Sequence, residues 1–316
     1  MVQEHRRQWR SARLALIALA VPAAAQAQPA DEPQTDSLRV SVGATYTDGR
    51  YGQTARTEIA TIPVSVKYTH ARMSVKVTTA FVTLRGPGTL LDGTGSGASG
   101  NSSGSSGSGV AGEPEFESET GDASGGSGSG EGETDGGDQG AGLVAGMITK
   151  PAPVLRQRRS GLGDTSVTLA YSLPLASGLS LEPRARVKLP TASARKGIGT
   201  GKVDATLAAD LVGSFGSTTV YASARRRFLG RSARFPVRDG WGFGVGASRA
   251  LGPVITLGAD YDWLQSAVPG RGPISEGTLW VSARLSRQLR LQAYGGTGFS
   301  ARSAETIGGL TLVWRP

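Results

Sequence analysis

The chain has 316 residues, with 34 Lys and Arg against 25 Asp and Glu for a formal charge of +9, 47 Gly and no Cys. The missing cysteines exclude disulfide bridges and thiol chemistry. Beyond the N-terminal segment no apolar run approaches the roughly eighteen residues of a helical membrane span, which excludes helical spans but not spans made of strands.

At the N-terminus Arg6, Arg7, Arg10 and Arg13 precede the apolar stretch Leu14 to Val21, Pro22 and the small-residue site Ala25-Gln26-Ala27. This order is that of a secretory signal peptide over residues 1–27. Residues 28–36 are polar and contain proline, and read as a disordered lead-in. The remainder, 37–316, is expected to form one β-domain.

Alternation with a period of two predicts twelve strands, at 37–47, 57–68, 72–84, 164–173, 179–189, 203–213, 217–228, 241–249, 254–264, 277–285, 289–297 and 305–314. Most run nine to thirteen residues, close to the length a tilted strand needs to cross a bilayer. The connections alternate. Short links such as Thr69 to Ala71, Ser214 to Gly216 and Ser286 to Gln288 lie between longer ones at 48–56, 85–163, 190–202, 229–240, 265–276 and 298–304. A soluble sandwich has no reason to gather its long loops at one end, whereas an outer-membrane barrel has tight periplasmic turns and long outer loops. The expected fold is therefore all-β: a closed antiparallel transmembrane β-barrel of about 12 strands in the outer membrane, both termini in the periplasm. A soluble periplasmic sandwich is the competing architecture.

The longest connection holds an insert, 86–142, built of Gly and Ser with ten acidic residues and no Lys or Arg. Such a composition cannot bury enough apolar area to fold alone and is expected to be a disordered, low-complexity extracellular loop. Its acidic residues lack the fixed spacing of a calcium loop.

Two strands carry charge on one face. In 179–189 Glu182, Arg184, Arg186 and Lys188 alternate with apolar residues, and in 203–213 Asp204 and Asp210 share the polar face. Asp260 and Asp262 oppose the face of Tyr261 and Trp263, and Arg284, Arg290 and Gln292 complete the polar set. In a barrel these residues line the lumen. They either pair across it as a structural lattice or border a water path. Trp241, Trp263 and Trp314 sit at strand ends on the apolar face, as interfacial girdles require. Trp280 shares a face with Ser282 and Arg284 and is expected to point inward. The basic residues are scattered along strands and loops, which argues against nucleic acid as a partner. The expected partners are outer-membrane lipid and lipopolysaccharide, the barrel-assembly machinery and small hydrophobic solutes.

Three motifs follow one another: Gly161-Leu162-Gly163-Asp164, then Lys188-Leu189-Pro190-Thr191, then Gly197-Ile198-Gly199-Thr200-Gly201 with Asp204. With Ile62-Pro63-Val64 ahead of Tyr68, they resemble a family of outer-membrane β-barrels labelled as transporters of the phenol-degradation, meta-cleavage pathway type. The resemblance covers 57–84 and 160–314, and the insert and the Arg315-Pro316 tail after Trp314 depart from it. It implies movement of small hydrophobic or aromatic compounds and brings no catalytic or ligand residues. Physically, Gly161 and Gly163 allow a sharp turn into a strand, Asp164 caps it or faces the lumen, and Pro190, Gly199 and Gly201 shape a loop. No helix follows the glycines, so they are no nucleotide site.

No enzyme and no cofactor are expected. The only histidines are His5, in the leader, and His70, in a short turn without a neighbouring Ser and Asp arrangement. The expected function is an outer-membrane channel or transporter for small solutes. The alternative is a surface-binding barrel that works through its loops.

Overall fold

The computed structural model describes residues 36–52, 55–86, 158–193, 198–231, 237–267 and 269–316. The signal-peptide, lead-in and acidic-insert expectations fall outside these residues, apart from Asp36 and Gly86.

Twelve strands close into a ring. They are β1 (Ser37–Gly49), β2 (Thr57–His70), β3 (Met73–Arg85), β4, β5 (Leu179–Leu189), β6 (Asp204–Phe215), β7 (Thr218–Phe228), β8 (Gly240–Ala250), β9 (Ile255–Leu264), β10 (Ile274–Arg284), β11 (Leu289–Gly298) and β12 (Thr306–Trp314). Strand β4 is interrupted: Arg158–Leu162 and Thr165–Tyr171 both pair with β3, and a short continuation, Leu173–Ala176, pairs with β5. Each strand is antiparallel to its sequence neighbours, and β12 returns to pair with β1, from Val40 opposite Trp314 to Asp48 opposite Thr306. Closure leaves no strand edge for other chains to pair with.

The strands extend a few residues beyond the sequence expectation in several places. The largest difference is at β4, which starts at Arg158 rather than near 164. Its first five residues, Arg-Arg-Ser-Gly-Leu, carry no apolar alternation, and pairing with Phe81 to Arg85 of β3 decides their conformation. Strand β10 likewise begins at Ile274 instead of 277.

Short turns gather at one end of the barrel and long connections at the other. The turn between β2 and β3 holds Ala71 with a positive φ of 51°, and those after β4 and β6 use Gly178 (φ 72°) and Gly216 (φ 61°). Both ends of the described chain, Asp36 and Pro316, are at the turn end, where Arg315 N donates to Gln288 O at 2.8 Å. There Asp36 accepts from the Tyr68 hydroxyl at 2.8 Å and meets His70 Nδ1 at 2.6 Å. The His70 contact, then that of Tyr68, holds the Asp36 carboxyl below its usual range.

Alternation gives the wall two unlike faces. The outer face carries Val42, Ile62, Val77, Phe81, Leu207 and Leu279 among many exposed large apolar side chains, continuing around the ring. So large an apolar surface is incompatible with water and suits lipid. Exposed Tyr68, Tyr171, Phe215 and Trp314 ring the turn end; Tyr46, Phe228 and Trp241 sit at the loop end. Trp263 joins the latter girdle against Phe243, ring centroids 5.7 Å apart. These are the two aromatic girdles of a membrane-spanning barrel. The inner face holds hydroxyls, charges, glycines and an apolar cluster that includes Ile59, Val82, Leu84 and Ile307.

Candidate functional site

The three sequence motifs meet at one point inside the loop end. Gly163 N donates to Ala80 O at 2.7 Å, fixing the break in β4 that turns Asp164 inward. A Cβ at Gly163 would come within 3.2 Å of Ala80 O, so the close backbone approach favours glycine. Lys188, near the top of β5, reaches into the same space. Its Nζ lies 3.2 Å from Asp164 and 2.5 Å from Asp204 at the start of β6, and donates to Thr200 Oγ1 at 3.3 Å. Both carboxylates have a second partner, Asp164 accepting from Ala192 N at 2.9 Å and Asp204 from Gly230 N at 2.8 Å. Thr191 accepts from Thr165 N at 2.8 Å and donates to Gly163 O at 3.2 Å.

The described parts of the loop after β5 are thereby drawn inward. Ala192 and Ile198 join Val82, Leu84, Ile59, Ile307 and Tyr51 in the apolar cluster. Gly199 passes so close to this knot that a Cβ would lie 2.6 Å from Ala192 Cβ and 3.0 Å from an Asp164 oxygen. Gly201 takes a positive φ of 65°, and Pro190 stands exposed at the start of the loop. Tyr51, in the loop after β1, donates to Thr47 Oγ1 at 3.1 Å, and burial pushes its phenol well above the usual range.

Below the knot the inner wall of β5 to β9 is a lattice of ion pairs. Arg184 Nε lies 2.5 Å from Asp210, which is 0% exposed. Glu182 is buried opposite Asp210, and Arg186 is half-buried opposite Thr206. Strand β8 places Gly240, Gly242, Gly244 and Gly246 on the inner face. Across this bare floor Arg225 of β7 meets Asp262 of β9 at 2.5 Å, and the Tyr221 hydroxyl bonds Asp260. A Cβ at Gly244 would lie 2.7 Å from Ser223 Oγ, and one at Gly246 would strike Tyr221 and Asp260. The alternating glycines of β8 therefore let strands two places apart share side-chain contacts.

The wall of β10 to β12 is different. Trp280 turns inward over Gly258, and Tyr294, directly opposite it in the register, lies over Gly309. Both rings are buried, at 6% and 7% exposure. Gln292 is buried beside them, while Arg284 and Arg290 stand opposite each other near the turn end, Arg290 donating to Ser282 Oγ at 3.3 Å.

Sequence reasoning missed Lys76, Arg39, Lys67, Arg225, Arg227, Glu276, Tyr221 and Tyr294 on the inner face. The same alternation would have found most of them. Lys76, for example, shares the even-numbered face of β3 with Ser74 and Thr78.

No family model and no curated protein sequence matches the chain. Among solved structures, an outer membrane channel from Pseudomonas putida F1 superposes with a TM-score of 0.57 at 11% identity, over 92% of this chain and 100% of that one. The NanC porin aligns with a TM-score of 0.47 at 5% identity, over 87% and 97% of the two chains. The KdgM porin gives 0.45 at 8% identity, over 87% and 98%. The chain thus shares with the Pseudomonas putida channel the fold of a closed, twelve-stranded antiparallel β-barrel. Among the described residues no group of three His, Cys, Asp or Glu side chains could hold a metal ion.

Proposed function

We propose that the barrel conducts small aromatic or otherwise apolar solutes across the outer membrane, with the long loops outside and both termini in the periplasm. The observation that carries this reading is the inward, register-paired Trp280 and Tyr294, together with the apolar cluster of Ile59, Val82, Leu84, Ile198 and Ile307 toward the loop end. A barrel lined only to satisfy its own charges needs neither. Aromatic rings and aliphatic side chains among a few placed polar groups are how proteins bind small apolar ligands. The ion-pair lattice on β5 to β9 would then be the polar wall of the path.

The orientation rests on the gathering of short turns at the end that holds both termini, the usual arrangement of such barrels. Outside the girdle, Arg226 lies 5.1 Å from the Trp241 ring centroid at the loop end, a position from which a guanidinium meets lipopolysaccharide phosphate.

The test is the ion current of the purified protein in a planar bilayer. Stepwise openings that benzyl alcohol blocks at lower concentration than glucose does support the reading. Equal block by the two solutes overturns the aromatic preference, and an inserted protein that never opens overturns the channel itself.

A further inference from the structure

The turn end of the barrel is not built as a surface for water. Tight turns in water are made of small and polar residues. Here each of the five turns carries a large exposed apolar side chain in it or beside it. Met73 follows the turn between β2 and β3, Leu175 precedes that between β4 and β5, and Phe215 precedes that between β6 and β7. Leu251 and Val254 lie between β8 and β9, and Leu285 between β10 and β11. Leu175, Phe215, Leu251 and Leu285 are 55–59% exposed.

These side chains prolong the outer face. On β4 the exposed Leu169 and Tyr171 run on into Leu173 and Leu175. On β6 Leu211 runs on into Phe215, and on β10 Leu279 and Val281 run on into Leu285. An apolar surface that continues the lipid-facing wall without a polar interval is covered by what covers the wall. The rim therefore reaches into lipid instead of standing clear in the periplasm.

Cations are set into the same rim. Arg72, Arg249 and Arg287 are exposed, and each is within two residues of Met73, Leu251 or Leu285. Arg249 is on the outer face, opposite the exposed Leu257 of β9. None of the three has a carboxylate partner among the described residues, and the rim carboxylate Asp36 is engaged by Tyr68 and His70. Several loop-end arginines are arranged otherwise. Arg56 meets Asp48 and Glu305, Arg85 meets Glu58 at 3.5 Å, and Arg231 meets Asp239 at 3.1 Å. Those cations are neutralised within the chain, whereas the three of the rim are left to their surroundings.

An arginine at the edge of an apolar surface lays its stem on the hydrocarbon and lifts its guanidinium to headgroup level. There the planar fork matches phosphate. Several such cations together favour lipid of net negative charge over zwitterionic lipid. A soluble acidic protein would match the charges but not the apolar tips, whose continuity with the wall is that of a lipid contact. We propose that Arg72, Arg249 and Arg287 hold the phosphates of anionic phospholipid at the turn end, in the periplasmic leaflet. The leaflet rests on the orientation proposed above; the lipid preference rests on neither orientation nor conduction.

The experiment uses protein isolated from membranes and carrying Trp241→Phe and Trp263→Phe. Trp280 is buried, so quenching from lipid then reports Trp314, which is 45% exposed at the rim. The protein is reconstituted in phosphatidylcholine vesicles with a minor fraction of brominated lipid in both leaflets, either phosphatidylglycerol or phosphatidylcholine. Brominated phosphatidylglycerol should quench at least about twofold more than brominated phosphatidylcholine at equal fraction. Adding Arg72→Gln, Arg249→Gln and Arg287→Gln should abolish the excess, and adding Arg56→Gln should leave it. Equal quenching by the two lipids with the arginines intact overturns the proposal whether or not the triple variant folds. An excess that survives the triple substitution overturns it as well. If glycerol phosphate in solution removes the excess where NaCl of equal ionic strength does not, the site takes free phosphate and the lipid assignment falls. A fluorophore on Leu285→Cys tests the immersion of the rim: shielding from aqueous iodide is expected, and quenching as complete as that of free dye overturns it. Ion currents play no part in these readings, so a silent barrel counts against the channel alone.

Discussion

Replacing Lys188 with Met keeps most of the side-chain volume and removes the ammonium that lies between Asp164 and Asp204. The Lys188 side chain is 3% exposed and lies 3.2 Å and 2.5 Å from the two carboxylates. Removing one partner of a buried pair leaves uncompensated charge behind, at a cost of about 3–5 kcal/mol. The Ala192 and Gly230 amides stay on the carboxylates and soften the loss toward the lower end of that range. Arg56 is the matched control. It pairs with Asp48 at 2.5 Å and Glu305 at 3.2 Å, but with 51% of its side chain exposed. Arg56→Met should therefore cost no more than about 1 kcal/mol. Urea unfolding from lipid vesicles, followed by tryptophan fluorescence, measures both. A Lys188→Met loss under about 1 kcal/mol, or equal to that of Arg56→Met, refutes the claim that the three motifs are held together by a buried charge. Adding Asp164→Asn and Asp204→Asn to Lys188→Met should recover part of the loss, because fewer charges are then left unpaired.

Other perturbations probe separate parts of the barrel. Gly258→Val should displace the Trp280 ring, red-shifting and broadening tryptophan emission, because even a Cβ there meets the indole; an unchanged spectrum would place the ring elsewhere. Ala71→Gly should stabilise the barrel by about 1 kcal/mol in the same urea assay, since a non-glycine residue at φ 51° is strained. The Leu229 amide, at 3.0 Å, and Arg231, at 3.1 Å, hold the Asp239 carboxyl below the usual carboxylate range. A lowered folded-state value means this contribution is complete above the unfolded value of about 4 and disappears as pH falls through the folded one. Wild type minus Asp239→Asn stability should thus be flat from neutral pH to about pH 5 and shrink below about pH 4. A difference that shrinks between neutral pH and pH 5 would contradict that sign.

The architecture was legible because closure imposes a period of two and an alternation of link lengths on every strand. Leu179–Leu189 coincides with its expected bounds. The same alternation placed Trp280 on the inner face. It failed at Arg158–Leu162, where pairing with β3 alone fixes the strand. The motifs around Gly163, Lys188 and Gly199 were visible as motifs, but not their meeting point. Register and the break in β4 create it, and neither is written in local sequence. The glycine floor of β8 shows the same limit. Gly242, Gly244 and Gly246 were evident on one face, but which side chains meet across them depends on β7 and β9.

The most direct measurement uses the absence of native cysteine. Single cysteines introduced at positions 181 to 189 of β5 would be tested in reconstituted vesicles with a charged water-soluble thiol reagent. In parallel, a fluorophore at each site would be quenched by brominated lipid. A strict alternation is expected: the half-buried positions 184 and 186 react from water, all four of 182, 184, 186 and 188 resist the lipid quencher, and 183, 185, 187 and 189 are quenched by lipid and do not react. No reaction from water at any even position would contradict a path through the barrel, and loss of the alternation would contradict the barrel itself.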